Sequence, residues 1–355
     1  MNKKALIAMS GGVDSSVAAL LMKENGYDCI GATMRLFDNK DAGLSTDKAC
    51  CSLEDTEDAR SVAAGLGIPY YVFNFTDDFR VEVIDRFITA YENGLTPNPC
   101  IDCNQTMKFG KLYQRAVMLE CDCVVTGHYA RIEKERGRYL LKKAVDDTKD
   151  QSYVLYFMTQ EQLAHTQFPL GNMRKAEIRA IAEKHGFVNA RKHESQDICF
   201  VPDGDYARII EMHTGRSYPR GNFIDCDGNI LGKHKGIIRY TIGQRKGLGL
   251  SLKEPMYVCE KSITDNTVTL GSNKDVLSKG LEATNFNWIA YDEPPEKIRV
   301  RAKVRYRQPE QWATAEPTGA GTVRVVFDEP QRAIAKGQAV VLYDGDIVVG
   351  GGIIS

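Results

Sequence analysis

Residues 5–16 read Ala5-Leu6-Ile7-Ala8-Met9-Ser10-Gly11-Gly12-Val13-Asp14-Ser15-Ser16, and the reading of this stretch decides the fold. Its apolar first half predicts a strand. The two glycines let the backbone turn tightly and approach a ligand with no Cβ in the way. Val17, Leu20 and Leu21 follow at i, i+3 and i+4, the spacing of a helix. Backbone N–H groups and the positive helix end then converge beside the hydroxyls of Ser10, Ser15 and Ser16, which makes a phosphate site. The competing reading is a plain turn before a helix. No Lys follows the glycines, so this is not the Walker loop. Without a fixed cation the loop suits a pyrophosphate that carries its own Mg²⁺, which Asp14 could help hold directly or through water.

Outward from this junction, the first 160 or so residues alternate strand and helix patterns. Strands are expected at 4–9, 28–34, 69–75 and 123–127. An amphipathic helix is expected over 55–66, where Ala59, Val62, Ala63 and Leu66 share one face. This predicts an α/β, Rossmann-like domain, a parallel sheet with helices on both sides. Residues 129–133 and 138–142 flank Glu135-Arg136-Gly137 as a hairpin, and 174–185 read as a helix stopped by Gly186. After about residue 203 the texture changes. Turn signals such as Asp227-Gly228-Asn229 separate short segments to about residue 280, a small central α+β domain. From 281 onward short alternating strands are broken by Pro294-Pro295, Pro309, Gly319-Ala320-Gly321 and Asp344-Gly345, the pattern of a β-barrel. The expected boundaries are 1–203, 204–280 and 281–355.

A chain of 355 residues is too long for one ordinary core. Its 43% hydrophobic and 26% charged residues are those of a globular protein, and no apolar run is long enough to span a membrane. The N-terminus enters a strand at once, so no signal peptide is expected. The ten cysteines are not a secreted disulfide framework; in a reducing cytoplasm, the expected setting, they are core thiols, metal ligands or reactive thiols. A net charge of −1 makes any nucleic-acid surface a local patch.

Three cysteines stand out by context. Cys100 and Cys103 lie in a proline-pinned loop, Thr96-Pro97-Asn98-Pro99-Cys100-Ile101-Asp102-Cys103-Asn104, and Cys199 lies in Ser195-Gln196-Asp197-Ile198-Cys199-Phe200. A C-x-x-C pair can be a redox disulfide or half a metal site. Cys121 and Cys123 follow at nearly zinc-ribbon spacing, but Cys123 opens an apolar strand. Cys29, Cys121, Cys123 and Cys259 read as small buried hydrophobes, and Cys50-Cys51 stays undecided. Residues 299–307 alternate cation and apolar residue. As one strand they set Arg299, Arg301, Lys303, Arg305 and Arg307 on one face, which favours a polyanion over a merely solvated face. A second basic run extends from Lys233-His234-Lys235 through Arg239 to Arg245-Lys246.

The SGGxDS string resembles the PP-loop of ATP pyrophosphatases, which cleave ATP between the α and β phosphates and place AMP on a substrate oxygen. SGGVDSS, CCS-x-ED, GIPYYVFNF, LTPNP-x-x-x-CN, TGHYAR, KDQSY, SQDICFV, YTIGQRKGLG and GQAVVLYDGD occur in that order. Together they are similar to the tRNA-specific 2-thiouridylases, which sulfurate the wobble uridine of certain tRNAs, over essentially the whole chain. The resemblance implies an ATP site formed by Ala8, Met9, Ser10, Gly11, Gly12, Val13, Asp14 and Ser15, bordered by Met34 and Gly127. It implies that Cys199 receives a persulfide and that Cys103 is the partner thiol, able to form a disulfide with it. Asn98, Pro99 and Cys100 would line the target-base pocket. His128, Lys149, Asp150, Gln151, Arg305, Tyr306 and Gln338 would contact tRNA. The implied partners are the Lys, Glu and Gln tRNAs and a cysteine desulfurase or sulfur-relay protein. Cys100 departs from the Asp of many members. Three converging thiols, Cys100, Cys103 and Cys199, could instead hold an iron–sulfur cluster. A PP-loop amide or amidine ligase acting on a small molecule, and a non-catalytic RNA-binding protein, are the other classes. The first leaves Cys199 and the basic strand unexplained, and the intact glycine loop argues against the second.

Overall fold

Leu6 is buried on one face of its strand, and Ala5 and Ile7 are buried on the other. A strand apolar on both sides belongs at the centre of a parallel sheet. The computed structural model, which describes residues 2–43, 53–192 and 198–355, puts it there. Cys50, Cys51 and Ser195-Gln196-Asp197 lie outside the described residues. β1 (Lys4–Ala8), β2 (Asp28–Arg35), β3 (Tyr70–Asn74) and β4 (Cys123–Val125) match the expected strands to within two residues. β5 (Ala130–Glu135) and β6 (Arg138–Lys143) form the expected hairpin, and β7 (Thr166–Gln167) completes the sheet in the order β3-β2-β1-β4-β7, all parallel. The chain winds outward from β1 through β2 to β3, then returns to β4 on the other side. The switch point therefore falls at the carboxyl ends of β1 and β4, where such sheets bind ligands. Helices α1 (Val13–Glu24) and α2 (Leu53–Leu66) share one core with the helix Lys175–Lys184 through Val17, Leu20, Val62, Ala63 and Ile178.

The central segment carries the helix Tyr206–Thr214, begun by the Asp205 side chain and ended by Gly215 at φ +64°. Its sheet comprises β8 (Asn222–Ile224), β9 (Ile230–Lys233), β10 (Tyr257–Ser262) and β11 (Thr267–Gly271), in the order β10-β11-β8-β9. β12 (Leu277–Trp288), β13 (Ile298–Lys303), β14 (Gln311–Gly319), β15 (Thr322–Arg332), β16 (Ala339–Asp344) and β17 (Ile347–Ile354) close into a six-stranded barrel, because β12 pairs with both β15 and β17. The β5–β6 hairpin leaves the parallel sheet and extends the barrel sheet through Lys142↔Ile347. Among the described residues no helix is long and apolar enough to cross a membrane.

Three local expectations are corrected. Residues 96–104 are not all loop: Pro99 is the first residue of a helix whose N-cap, Asn98, accepts the Cys100 N–H at 3.2 Å. The fixed φ of proline suits that position. The helix continues through Cys103–Leu112 with N–H groups reaching back five residues. The basic strand ends at Lys303, so the five cations do not share one face. Arg299 pairs with Asp328, and Arg299 and Arg301 flank the Trp312 ring at 5.0 and 4.9 Å. Nor does the 233–249 run form one basic surface. Arg239 pairs with Glu211 at 2.7 Å, and His234 is fully buried.

His234 Nδ1 accepts the N–H groups of Gly221 and Gly236 (3.3 and 3.1 Å), and Nε2–H donates to Asn266 O at 3.1 Å. The ring is therefore neutral, and burial holds its pKa below the usual value. The unfolded chain takes up this proton more readily than the folded one. The contribution of His234 is thus complete above about pH 6.5 and is lost as pH falls below it. Melting curves from pH 8 to pH 5 should show this loss, and His234→Gln, though less stable throughout, should lack that step.

Candidate functional site

The switch point opens into a cavity of about 1790 Å³. All the site residues expected from the sequence line it except Gly11 and Ser16, which are buried behind the loop surface. Gly11 has φ +76°, and a Cβ there would come within 2.3 Å of Asp55 O at the start of α2. Gly12 has φ −88°, and a Cβ on it would meet only Ser10 Oγ at 3.5 Å, inside the loop. Gly127 ends β4 so close to α1 that a Cβ would lie 2.9 Å from Ser15 N. The loop is further tied by Ser10 N–H to Ser15 Oγ (3.1 Å) and by Ser15 and Ser16 hydroxyls to Gly12 O (3.0 and 3.1 Å). From behind, Asn189 Nδ2 donates to Gly11 O at 2.8 Å and to Ser16 Oγ at 2.9 Å.

A fixed cation is present after all. Lys175 Nζ binds both Asp14 oxygens at 2.7 and 2.8 Å, and Tyr129 OH donates to Asp14 Oδ1 at 2.7 Å. Lys192, between Asp55 and Asp58 at 2.6 Å each, also reaches the cavity wall. Both lysines are more than 160 residues from the loop in sequence, so local motif reading could not find them. Asp14 is already engaged on both oxygens. Among the described residues no three His, Cys, Asp or Glu side chains group as metal ligands. Cys100, Cys103 and Cys199 all open onto the cavity, but among the described residues they are not assembled as a three-thiol ligand set.

Cys103 and Cys199 both pack against the core that holds Phe79, Phe87 and Phe200. Phe200 anchors the Cys199 segment by edge contacts with Phe79 and Phe87 at 5.8 and 5.3 Å. Burial pushes the Cys103 thiol up to about 11, against the opposing charge of Lys108. Burial likewise raises the thiols of Cys29 and Cys123, to about 11 and about 12.

Most residues expected to touch tRNA turn their polar atoms inward. Gln338 Nε2 donates to Thr96 O and Pro97 O at 2.8 and 3.2 Å, tying the barrel to the Cys100 loop. Arg305 donates to Ala333 O and to Ile242 O, and its burial lowers its pKa. Gln151 Oε1 accepts the Tyr129 N–H at 2.9 Å. The Asp150 carboxylate accepts the Ala144 N–H at 3.1 Å and the Ser152 hydroxyl at 2.8 Å, and Tyr306 OH donates to Asp150 O at 3.1 Å. His128 is buried, with both ring nitrogens engaged. These residues line the cavity, as do the basic residues Lys303 and Arg307.

Residues 3–203 match the family model described as tRNA methyl transferase HUP domain, residues 208–272 its PRC-barrel domain, and residues 278–354 an aminomethyltransferase β-barrel domain. The chain is 53% identical to the tRNA-specific 2-thiouridylase MnmA of Clostridioides difficile, covering 100% of this chain and 98% of that protein. It is 52% identical to that of Acetivibrio thermocellus, covering 99% of each, and 50% identical to that of Clostridium beijerinckii, covering 100% and 99%. The chain belongs to the tRNA-specific 2-thiouridylase family. The glycine loop and the two thiols line one cavity.

The two loop glycines should behave differently. Gly11→Ala meets Asp55 backbone and should cost stability, on the order of 1–3 kcal/mol. Gly12→Ala should melt nearly as the parent does but lose pyrophosphate release from ATP, because its Cβ enters the phosphate space. Melting curves and a pyrophosphate assay on both variants check this.

Proposed function

We propose that this protein is the ATP-dependent enzyme that replaces the 2-oxygen of the wobble uridine in tRNA with sulfur. The observation that carries this reading is a single cavity joining the glycine loop, two half-buried thiols and the basic residues Lys303 and Arg307. Residues 1–203 act as the ATP-binding catalytic domain, 204–280 as an adaptor, and 281–355 as a barrel that holds tRNA. The wobble base leaves the anticodon stack to enter the pocket at Asn98, Pro99 and Cys100.

The uridine 2-oxygen attacks the α-phosphorus of ATP. An O–P bond forms, the bond to the β-phosphate breaks, and pyrophosphate leaves. Ser10, Gly12, Ser15 and Lys175 receive its charge, while Mg²⁺ travels with the ATP phosphates. The terminal sulfur of a Cys199 persulfide then attacks C2, and AMP departs with the C2–O electron pair. Cys103, as thiolate, attacks the Cys199 sulfur. The S–S bond breaks, the outer sulfur keeps its electrons as the 2-thiocarbonyl, and a Cys103–Cys199 disulfide remains. A thiol reductant then reopens it, and a cysteine desulfurase or relay protein reloads Cys199. Splitting one hard displacement into easier steps is what covalent activation provides. The setting is the cytoplasm, with the Lys, Glu and Gln tRNAs as substrates.

Incubation with unmodified tRNA, ATP and a persulfide donor, followed by nucleoside mass analysis, should yield 2-thiouridine. Its absence would return the reading to a small-molecule PP-loop ligase. Cys199→Ser should still release pyrophosphate but transfer no sulfur, and Cys103→Ser should accept sulfur and stall. The second reading, sulfide carried on an iron–sulfur cluster, is favoured by the third thiol on the same cavity. It predicts that Cys100→Ser is as damaging as the other two, whereas persulfide chemistry predicts a mild effect.

On the barrel, Arg301→Ala with Lys303→Ala should weaken tRNA binding and reduce its log–log salt slope by about 0.7–0.9 per lost phosphate contact. ATP binding should not change. An unaltered slope would make this strand a solvated face.

A further inference from the structure

Lys108, a cation of the cavity wall, has no role in the chemistry above. Lys108 stands five residues after Cys103, in the segment whose N–H groups reach back five residues. In an ordinary α-helix these two positions diverge; with this wider winding, residue 108 comes round over residue 103. The buried residues repeat at the same interval, Asn104 with Phe109 and Met107 with Leu112. Wide turns of this kind concentrate at functional sites.

Among the described residues the Lys108 head is held from one side only. Its Nζ lies 3.3 Å from His128 Nε2, and His128 Nδ1 lies 2.7 Å from Thr126 Oγ1. An ammonium only donates, so Nε2 accepts and Nδ1–H donates to Thr126. The imidazole is therefore neutral, and burial, then the Lys108 charge, keep its pKa well below the usual value. Among the described residues no carboxylate pairs with Lys108, unlike Lys175 and Lys192. His128 follows Gly127, which touches the first turn of α1. On the other side the Lys108 charge acts on Cys100 and Cys103. Lys108 thus stands at the seam between the phosphate half and the thiol half of the cavity.

The geometry points to Lys108 as a catalytic residue whose ammonium meets the oxygen joining uridine C2 to the AMP phosphorus. This rests on the adenylation reading above. That oxygen must lie between the glycine loop and the thiols. When the persulfide sulfur bonds to C2 and the C2–O bond breaks, the electron pair stays on the AMP oxygen. Lys108 donates a hydrogen bond to that developing charge and keeps its own proton. Neutral His128 holds the ammonium in place without adding a competing charge.

Lys108→Met keeps the stem and removes the charge; Lys108→Ala opens room for an added amine. Both should lower kcat for 2-thiouridine formation by about 100-fold, the usual loss for one preorganised donor. Dissociation constants for ATP and tRNA should stay within about threefold, since the contact is made to the reacting oxygen. Lys108→Arg should recover part of the rate, and ethylammonium should partly rescue Lys108→Ala in a concentration-dependent way. Full kcat in the Met variant overturns the assignment. So does a weakened tRNA affinity with a smaller salt slope and unchanged kcat, which would make Lys108 a phosphate contact. A rate loss that neither Arg nor ethylammonium relieves, with a lowered melting temperature, would make it structural. If the unaltered protein forms no 2-thiouridine, the underlying reading fails first and is recognised by that control.

Discussion

Two close backbone approaches, each allowed only by a missing side chain, place everything in the cavity. Gly11 brings the loop against the carbonyl of Asp55, and Gly127 brings the end of β4 against the first turn of α1. The first seats the loop on α2. The second fixes the distance between the helix end that faces phosphate and the segment that carries His128, Tyr129 and, through His128, Lys108. Widening either approach by one methyl group would move the nucleotide site relative to the thiols. A reaction that passes a group from one half to the other depends on that separation.

The barrel is built into this arrangement. The β5–β6 hairpin, from the N-terminal domain, extends the barrel sheet, and Tyr153 OH donates to Ala339 O at 2.8 Å. The guanidinium of Arg138 reaches the carbonyls of Trp288, Ile289 and Tyr291. Thr96 N–H donates to Lys336 O at 2.8 Å, and the Gln338 amide holds the next two carbonyls. The loop that leads into the Cys100–Cys103 helix is thus fastened to the element proposed to grip tRNA. Under the proposed function this fastening would make seating tRNA on the barrel and presenting the base to the thiols one event.

Charge in the site is arranged singly, in a chain with a net charge of −1. Lys175 rests on Asp14, Lys192 on Asp55 and Asp58, and Lys108 on a neutral imidazole. Each cation is oriented by a fixed acceptor, and such preorganised donors act strongly on developing negative charge. Composition is blind to this, because it counts charges without their partners.

The sequence by itself determined the parallel sheet, the glycine turn and the barrel. Each is a local pattern: apolar runs, residues free of a Cβ at a turn, alternation broken by proline and glycine, short motifs in order. The tertiary structure decided what lies between such patterns. Lys175 and Asn189 reach the glycine loop, and Lys192 the wall of the same cavity, from more than 160 residues away, and no spacing rule connects them to it. The Cys100–Cys103 segment is helical because Asn98 caps it and Pro99 starts it, against the loop its prolines suggested. Lys108 joins the cavity only because its helix is wound with five-residue hydrogen bonds, so the three-and-four spacing of an ordinary helix turns it away. Arg299 and Arg305 read as part of a uniform basic face until Asp328 and two backbone carbonyls, distant in sequence, engage them. Local sequence specifies backbone conformation through sterics and burial; which side chains meet is settled when the three domains pack together.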